Sequence, residues 1–204
     1  MEKITVIGSA GAGKTFLARK LGSKFHMKIV HLDRLFWERD WKGKTKDTRI
    51  DILEKLVQEK QWIIEGTYIS SSEPRLYAAD TIIFLDTSPL VCLLRIIRRH
   101  HPLLCLLHKI RGHQKYHWSS RRDIPEGCID KLTLFRIFKV LVFPFQERRT
   151  LEQKLHYYNT KQIIRLRSNK EVEVFLAQLL QDVNDQRDLF HEQTHLQVTE
   201  FATT

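Results

Sequence analysis

Gly8-Ser9-Ala10-Gly11-Ala12-Gly13-Lys14-Thr15 has the spacing G-x-x-x-x-G-K-[ST], which is a chemistry rather than a composition. Backbone N–H groups of such a loop turn inward around a phosphate, and side chains would obstruct them. Gly8, Gly11 and Gly13 permit the dihedrals and the close approach, while Ser9, Ala10 and Ala12 add little bulk. Lys14 can reach β- and γ-phosphates, and the Thr15 hydroxyl can ligate Mg²⁺. A helix opening near Lys14 would add its positive N-terminal end. The expected ligand is a nucleoside triphosphate, ATP with Mg²⁺. No Asn-Lys-x-Asp guanine signature is present, which disfavours a GTPase.

Three acids follow short apolar runs and so stand where open α/β sheets bind their ligands. Asp33 follows Ile29–Leu32, Glu65 closes Trp62–Ile64, and Asp86 closes Thr81–Leu85. Asp33 could take a proton from an acceptor hydroxyl or hold that hydroxyl in line with a γ-phosphate. Asp86 reads as an acid orienting Mg²⁺ through water. A helix cap or turn acid is the plainer alternative for each.

Positive charge is the second constellation. Between Arg95 and Arg122 there are eight Lys/Arg and no Asp or Glu, with five histidines. Arg95 and Arg99 share a helical face at i, i+4. Arg122 follows a loop, and Arg148 opens a later helix. Arginines that close over a migrating phosphoryl group stabilise its charge, so these four are candidate catalytic residues and the segment a candidate lid. A solvated basic face is the alternative. His100, Cys105, His108 and His113 lack a familiar zinc spacing.

The elements that must position these residues follow from the apolar pattern. Strands are expected at 3–7, 28–32, 62–65, 81–85 and 162–166. Helices are expected at 15–25, 47–59, 89–100, 131–143 and 147–156. Ser88-Pro89 is a helix-start pair, and Ser168-Asn-Lys-Glu171 is a capping box opening a last helix. Strands alternating with helices mean a parallel sheet covered on both faces.

Composition bounds the rest. The 204 residues are 42% hydrophobic and 28% charged, which excludes wholesale disorder and low-complexity classes. No run reaches the roughly 20 apolar residues of a membrane span, and the N-terminus reads directly into a strand without signal-peptide features. Three cysteines without metal or redox spacing fit a cytoplasmic protein with reduced thiols. The net charge is +10, while residues 181–204 carry −4. An anionic partner is implied, nucleic acid among them. The expected organisation is a domain over 1–182, with a lid at about 100–128, and an acidic tail over 183–204. Oligomeric state is left open.

Gly8–Thr15, His31-Leu-Asp33-Arg-Leu-Phe-Trp37, Trp62-Ile-Ile-Glu65-Gly-Thr-Tyr68, Arg75–Asp86 and Asp123-Ile-Pro-Glu-Gly-Cys128 form a series. That series resembles the DNA topology modulation protein family, adenylate-kinase-like P-loop proteins, over about residues 3–180. The resemblance implies a three-layer P-loop NTPase fold with a five-stranded parallel sheet, nucleotide-kinase-like, and a helical Arg-rich lid. It implies ATP and Mg²⁺. It puts the acceptor-binding stretch at Gly66–Arg75, with Arg75 meeting an acceptor phosphate, and Arg167 beside the adenine. Two functions compete. One is a phosphotransferase moving the ATP γ-phosphoryl to a nucleotide or small hydroxyl acceptor. The other is an ATP-dependent, nucleic-acid-associated regulator. A peripheral membrane role for Leu90–Ile110 ranks third.

Overall fold

The computed structural model describes residues 1–100, 128, 132–179 and 181. Five strands form one sheet: β1 (Lys3–Gly8), β2 (Ile29–His31), β3 (Trp62–Glu65), β4 (Thr81–Leu85) and β5 (Gln162–Leu166). Every pairing is parallel and the spatial order is β2-β3-β1-β4-β5. The expected five-stranded parallel sheet is therefore present. β1, β3 and β4 are buried almost throughout, as continuous β-branched runs between two helical layers should be.

Among the described residues up to 167, the α-helices are α1 (Lys14–Phe25), α2 (Leu32–Phe36), α3 (Lys46–Leu56), α4 (Glu73–Ala78), α5 (Pro89–His100), α6 (Leu134–Val142) and α7 (Glu147–Tyr157). α1 lays Leu17, Ala18 and Leu21 onto β1, β2 and β3. Thr45 caps α3 by accepting the Thr48 N–H at 3.3 Å, and Thr133 caps α6 by accepting that of Arg136 at 3.2 Å. Ile7, Phe36, Leu53, Trp62, Phe84 and Leu151 join one core under these elements.

Strand boundaries agree with the sequence to within a residue or two, and α3 ends three residues earlier than its apolar pattern suggested. Two short helices, α2 and α4, have too few turns to show a period and were not expected. Between α2 and α3 the chain makes a small hairpin. Trp37 bridges Gly43, and Asp40 and Trp41 turn it with φ of 56° and 60°. Two consecutive positive φ values match the twist of a tight hairpin, although neither residue is the glycine usual there.

Residues 1–167 form one compact unit and residues 168–204 a second. In the second, a helix over 169–179 opens on the expected capping box: Glu171 N–H donates to Ser168 Oγ at 3.2 Å, and Ser168 Oγ donates to Glu171 Oε1 at 3.1 Å. The lid expected at about 100–128, with Arg122, lies outside the described residues except at its two ends. So does the tail expected at 183–204. Among the described residues no helix is long and apolar enough to cross a membrane, and no His/Cys/Asp/Glu group is arranged to hold a metal.

Candidate functional site

The phosphate loop runs from the end of central β1 into α1. Gly11 and Gly13 have φ of 82° and 105°, the left-handed region that disfavours side chains. Gly11 is also constrained by contact, since a Cβ there would lie 2.5 Å from the Cys92 carbonyl oxygen on α5. Arg95 of α5 ties the loop from behind. Its Nη1 donates to the Gly11 and Ala12 carbonyls at 3.1 and 3.0 Å. The loop is thus backed by α5, and its last glycine is the N-cap of α1.

Inside the loop, Lys14 Nζ donates to the Ser9 carbonyl at 2.9 Å. The Ser9 hydroxyl is buried and finds no hydrogen-bond partner among the described residues. A lysine folded onto its own loop and an orphaned buried hydroxyl fit a cradle whose partner is an anion.

Glu65 is the acid facing this loop. Its Oε1 accepts the Thr15 hydroxyl at 3.0 Å and the Nδ1–H of His31 at 2.8 Å. Glu65 is 5% exposed, so its charge is shielded from water by the groups that bind it. The register explains the meeting: Glu65 pairs with Val6 of β1 on one side and His31 of β2 on the other.

Asp86 has different surroundings from those expected of an acid beside Mg²⁺. Arg148 Nη2 donates to its Oδ2 at 2.9 Å, and Arg165 and Arg167 stand 3.9 Å from the same oxygen. Glu152 pairs with Arg148 at 3.4 Å and with Arg165 at 3.3 Å, completing a five-residue ionic cluster at the ends of β4 and β5. Three guanidiniums on one carboxylate compete directly with a cation. Two expected site residues, Asp86 and Arg148, are therefore brought together, as each other's partners. Arg167, expected beside adenine, lies at the exposed edge of this cluster. Arg99 lies half-buried on α5, one turn beyond Arg95.

Arg75 lies in a sealed setting. Position suggested an arginine meeting an acceptor phosphate, but its side chain is 0% exposed. It donates to the Gly66 carbonyl at 3.0 Å and to the Thr67 carbonyl at 2.6 Å, bracing the chain as it leaves β3. Burial lowers its guanidinium to about 10, and the nearby Glu65 charge partly offsets that. A cation sealed this way is a strut. Gly66 belongs to the same brace, and Thr67 Oγ1 donates to the Gly8 carbonyl at 2.8 Å, so the brace reaches the phosphate loop.

Asp33 stands in the first turn of α2, held by Tyr68, whose hydroxyl donates to Oδ1 at 2.5 Å. The same hydroxyl accepts the Trp37 indole N–H at 2.6 Å. Burial, then the Asp33 carboxylate, pushes the Tyr68 phenol well above its ordinary value, so it stays a donor. Tyr68 has φ of +27°, an uncommon backbone for an aromatic residue, and strain of this kind gathers at functional positions. Arg49 of α3 joins these rings. The Arg49 guanidinium carbon lies 5.3, 5.6 and 5.9 Å from the ring centres of Tyr68, Phe36 and Trp37. Nothing in the charged pattern of α3 distinguishes Arg49 from its neighbours.

A five-stranded parallel sheet with the phosphate loop following its central strand is the P-loop kinase-like fold. No protein-family model matches the chain, and no curated protein matches it. Solved structures do match. A shikimate kinase from Bacteroides thetaiotaomicron is 16% identical, over 89% of this chain and 97% of that one, with a TM-score of 0.46. A shikimate kinase from Acinetobacter baumannii, in complex with shikimate, is 15% identical over 91% and 94%, with a TM-score of 0.49. A deoxyadenosine kinase from M. mycoides, with dCMP and a flexible dCDP bound, is 13% identical over 89% and 98%, with a TM-score of 0.48. The resemblance to DNA topology modulation proteins has no support from these comparisons.

Proposed function

We propose that this chain is an ATP-dependent phosphotransferase that moves the γ-phosphoryl to a small acceptor. One observation carries the reading. The phosphate loop, the Thr15–Glu65 pair and the Tyr68-held Asp33 all stand at the C-terminal ends of adjacent strands. That edge is where open α/β sheets bind and react their ligands.

The roles follow from each group's chemistry. Loop backbone and Lys14 would hold the phosphates, and Lys14 would neutralise charge developing on the migrating group. Thr15 would ligate Mg²⁺, and Glu65, which already accepts the Thr15 hydroxyl, is the acid suited to orienting the ion's water. Mg²⁺, when bound, supplies charge neutralisation between the phosphates. Asp33 would orient an acceptor hydroxyl and receive its proton, with Tyr68 fixing the carboxylate. Arg95 and Arg99 of α5, with Arg122, are proposed to bring further positive charge. Arg148 would join them only by leaving Asp86. Arg167 is proposed beside the nucleotide base.

The test is ADP release from Mg·ATP across nucleosides, nucleoside monophosphates and hydroxylated metabolites. One acceptor should stimulate turnover. Lys14→Ala should abolish it, and Asp33→Asn should lower it by about 100-fold or more with ATP affinity kept. Flat turnover with every acceptor would overturn the reading. The +10 charge favours one alternative, a nucleotide-switched protein on nucleic acid. In that case DNA affinity should fall steeply with salt and respond to ATP.

A further inference from the structure

Arg49 is a cation held by aromatic rings, with no counter-charge among the described residues. It is half-buried on the first turn of α3, and its Nε is buried without a hydrogen-bond partner among the described residues. Among the described residues no carboxylate pairs with it. Its contacts are the faces of Tyr68, Phe36 and Trp37. Stacking on rings holds a guanidinium in place but does not neutralise it. Arg75 and Arg148 also bury an Nε without a hydrogen bond, but their terminal nitrogens are taken, by two carbonyls for Arg75 and by Asp86 for Arg148. Arg49 differs from both.

Its position is equally specific. Tyr68 bears Arg49 against its ring and Asp33 on its hydroxyl. One phenol therefore joins the fixed cation to the candidate base, and a molecule of metabolite size can touch both. The hairpin packs closely against this pair. Gly43 has no Cβ, and one there would come within 3.1 Å of Arg49 Nη2 and of the Trp37 ring.

We propose that Arg49 is the anion anchor of the acceptor site. The acceptor then carries two groups: a hydroxyl that meets Asp33 and a separate anionic group, carboxylate or phosphomonoester, that pairs with Arg49. This deepens the phosphotransferase reading and rests on it for the hydroxyl. The anion site itself stands on the Arg49 geometry. An uncharged nucleoside satisfies only half of it.

The experiment isolates that half. The full chain is saturated with Mg²⁺ and the non-hydrolysable analogue AMP-PNP, so that the phosphate loop is filled. Inorganic phosphate and acetate are then titrated separately, with Trp fluorescence as readout because Trp37 adjoins Arg49. One anion or both should shift the signal saturably, and which one binds tighter separates a phosphomonoester acceptor from a carboxylate. Arg49→Met should weaken that binding about tenfold or more, as loss of a charge-assisted pair does, and leave AMP-PNP affinity unchanged. Arg49→Lys should recover part of it. Lys55→Met, an exposed change on the same helix, should leave it intact and so exclude a general charge effect. No saturable anion binding with AMP-PNP bound, or equal binding in Arg49→Met, would overturn the proposal. Failure of AMP-PNP itself to bind would instead overturn the phosphotransferase reading.

Discussion

Glu65 accepts the hydroxyl of Thr15 at 3.0 Å across 50 residues of sequence. The contact links the phosphate loop to the neighbouring strand through the hydroxyl proposed to ligate Mg²⁺. Glu65→Gln keeps the size and removes the charge. About tenfold more Mg²⁺ should then be needed for half-maximal turnover, with ATP affinity in EDTA little changed. Titrating Mg²⁺ at fixed ATP measures this, and an unchanged Mg²⁺ requirement would remove Glu65 from the metal's surroundings.

Arg75 should behave as structure, not as a ligand. Arg75→Met leaves the Gly66 and Thr67 carbonyls without their donors and should cost about 3 kcal/mol, read as a lowered denaturation midpoint. Arg75→Lys cannot span both carbonyls and should recover only part. If Arg75→Met were as stable as the parent yet lost acceptor affinity, the strut assignment would fail.

Arg95 holds the Gly11 and Ala12 carbonyls, so Arg95→Ala should loosen the loop without unfolding the protein. We expect nucleotide affinity to fall by about tenfold, with the far-ultraviolet circular dichroism unchanged. Equilibrium binding of a fluorescent ATP analogue checks it.

Asp80 gives a pH prediction. It accepts the backbone N–H groups of Glu2 and Lys3 at 2.6 and 2.8 Å and the Thr81 hydroxyl at 2.6 Å. Partial burial works against the charged form, but those three bonds outweigh it and hold the carboxyl below its ordinary value. The folded form therefore releases this proton more readily than the unfolded chain. The stability it contributes is present above the ordinary aspartate range, about pH 4, and is lost as pH falls through the lower folded value. Asp80→Asn should lower stability at pH 7 by about 1 kcal/mol and flatten the acid limb. Thermal melts from pH 7 to pH 3 compare the two chains.

The parts legible in the sequence are those whose signal is local. The phosphate loop is eight consecutive residues, and each strand is one continuous apolar run. The acids were found because a strand end is itself a local mark. Their partners were not. Glu65 meets Thr15 and His31 only through the sheet order, and Asp86 is claimed by arginines 62, 79 and 81 residues further along the chain. The burial of Arg75 was hidden for a related reason. A charged residue in a short helix looks exposed, and only the fold shows two carbonyls closing over it. Arg49 sits among Lys46, Asp47, Asp51 and Glu54, where a solvated face is the natural reading.

The register of β3 has a consequence for how this fold tolerates change in length. Glu65 is paired with Val6 and with His31 at once, because β3 lies between β1 and β2. A residue gained or lost in the exposed turn at 58–61 can be absorbed before the strand begins. A residue gained or lost between Trp62 and Glu65 cannot. Alternation along the strand would send the carboxylate to the opposite face, separating it from Thr15 and His31 in one step. Related chains should therefore vary in the length of that turn while keeping four residues from the strand's first tryptophan position to its acid.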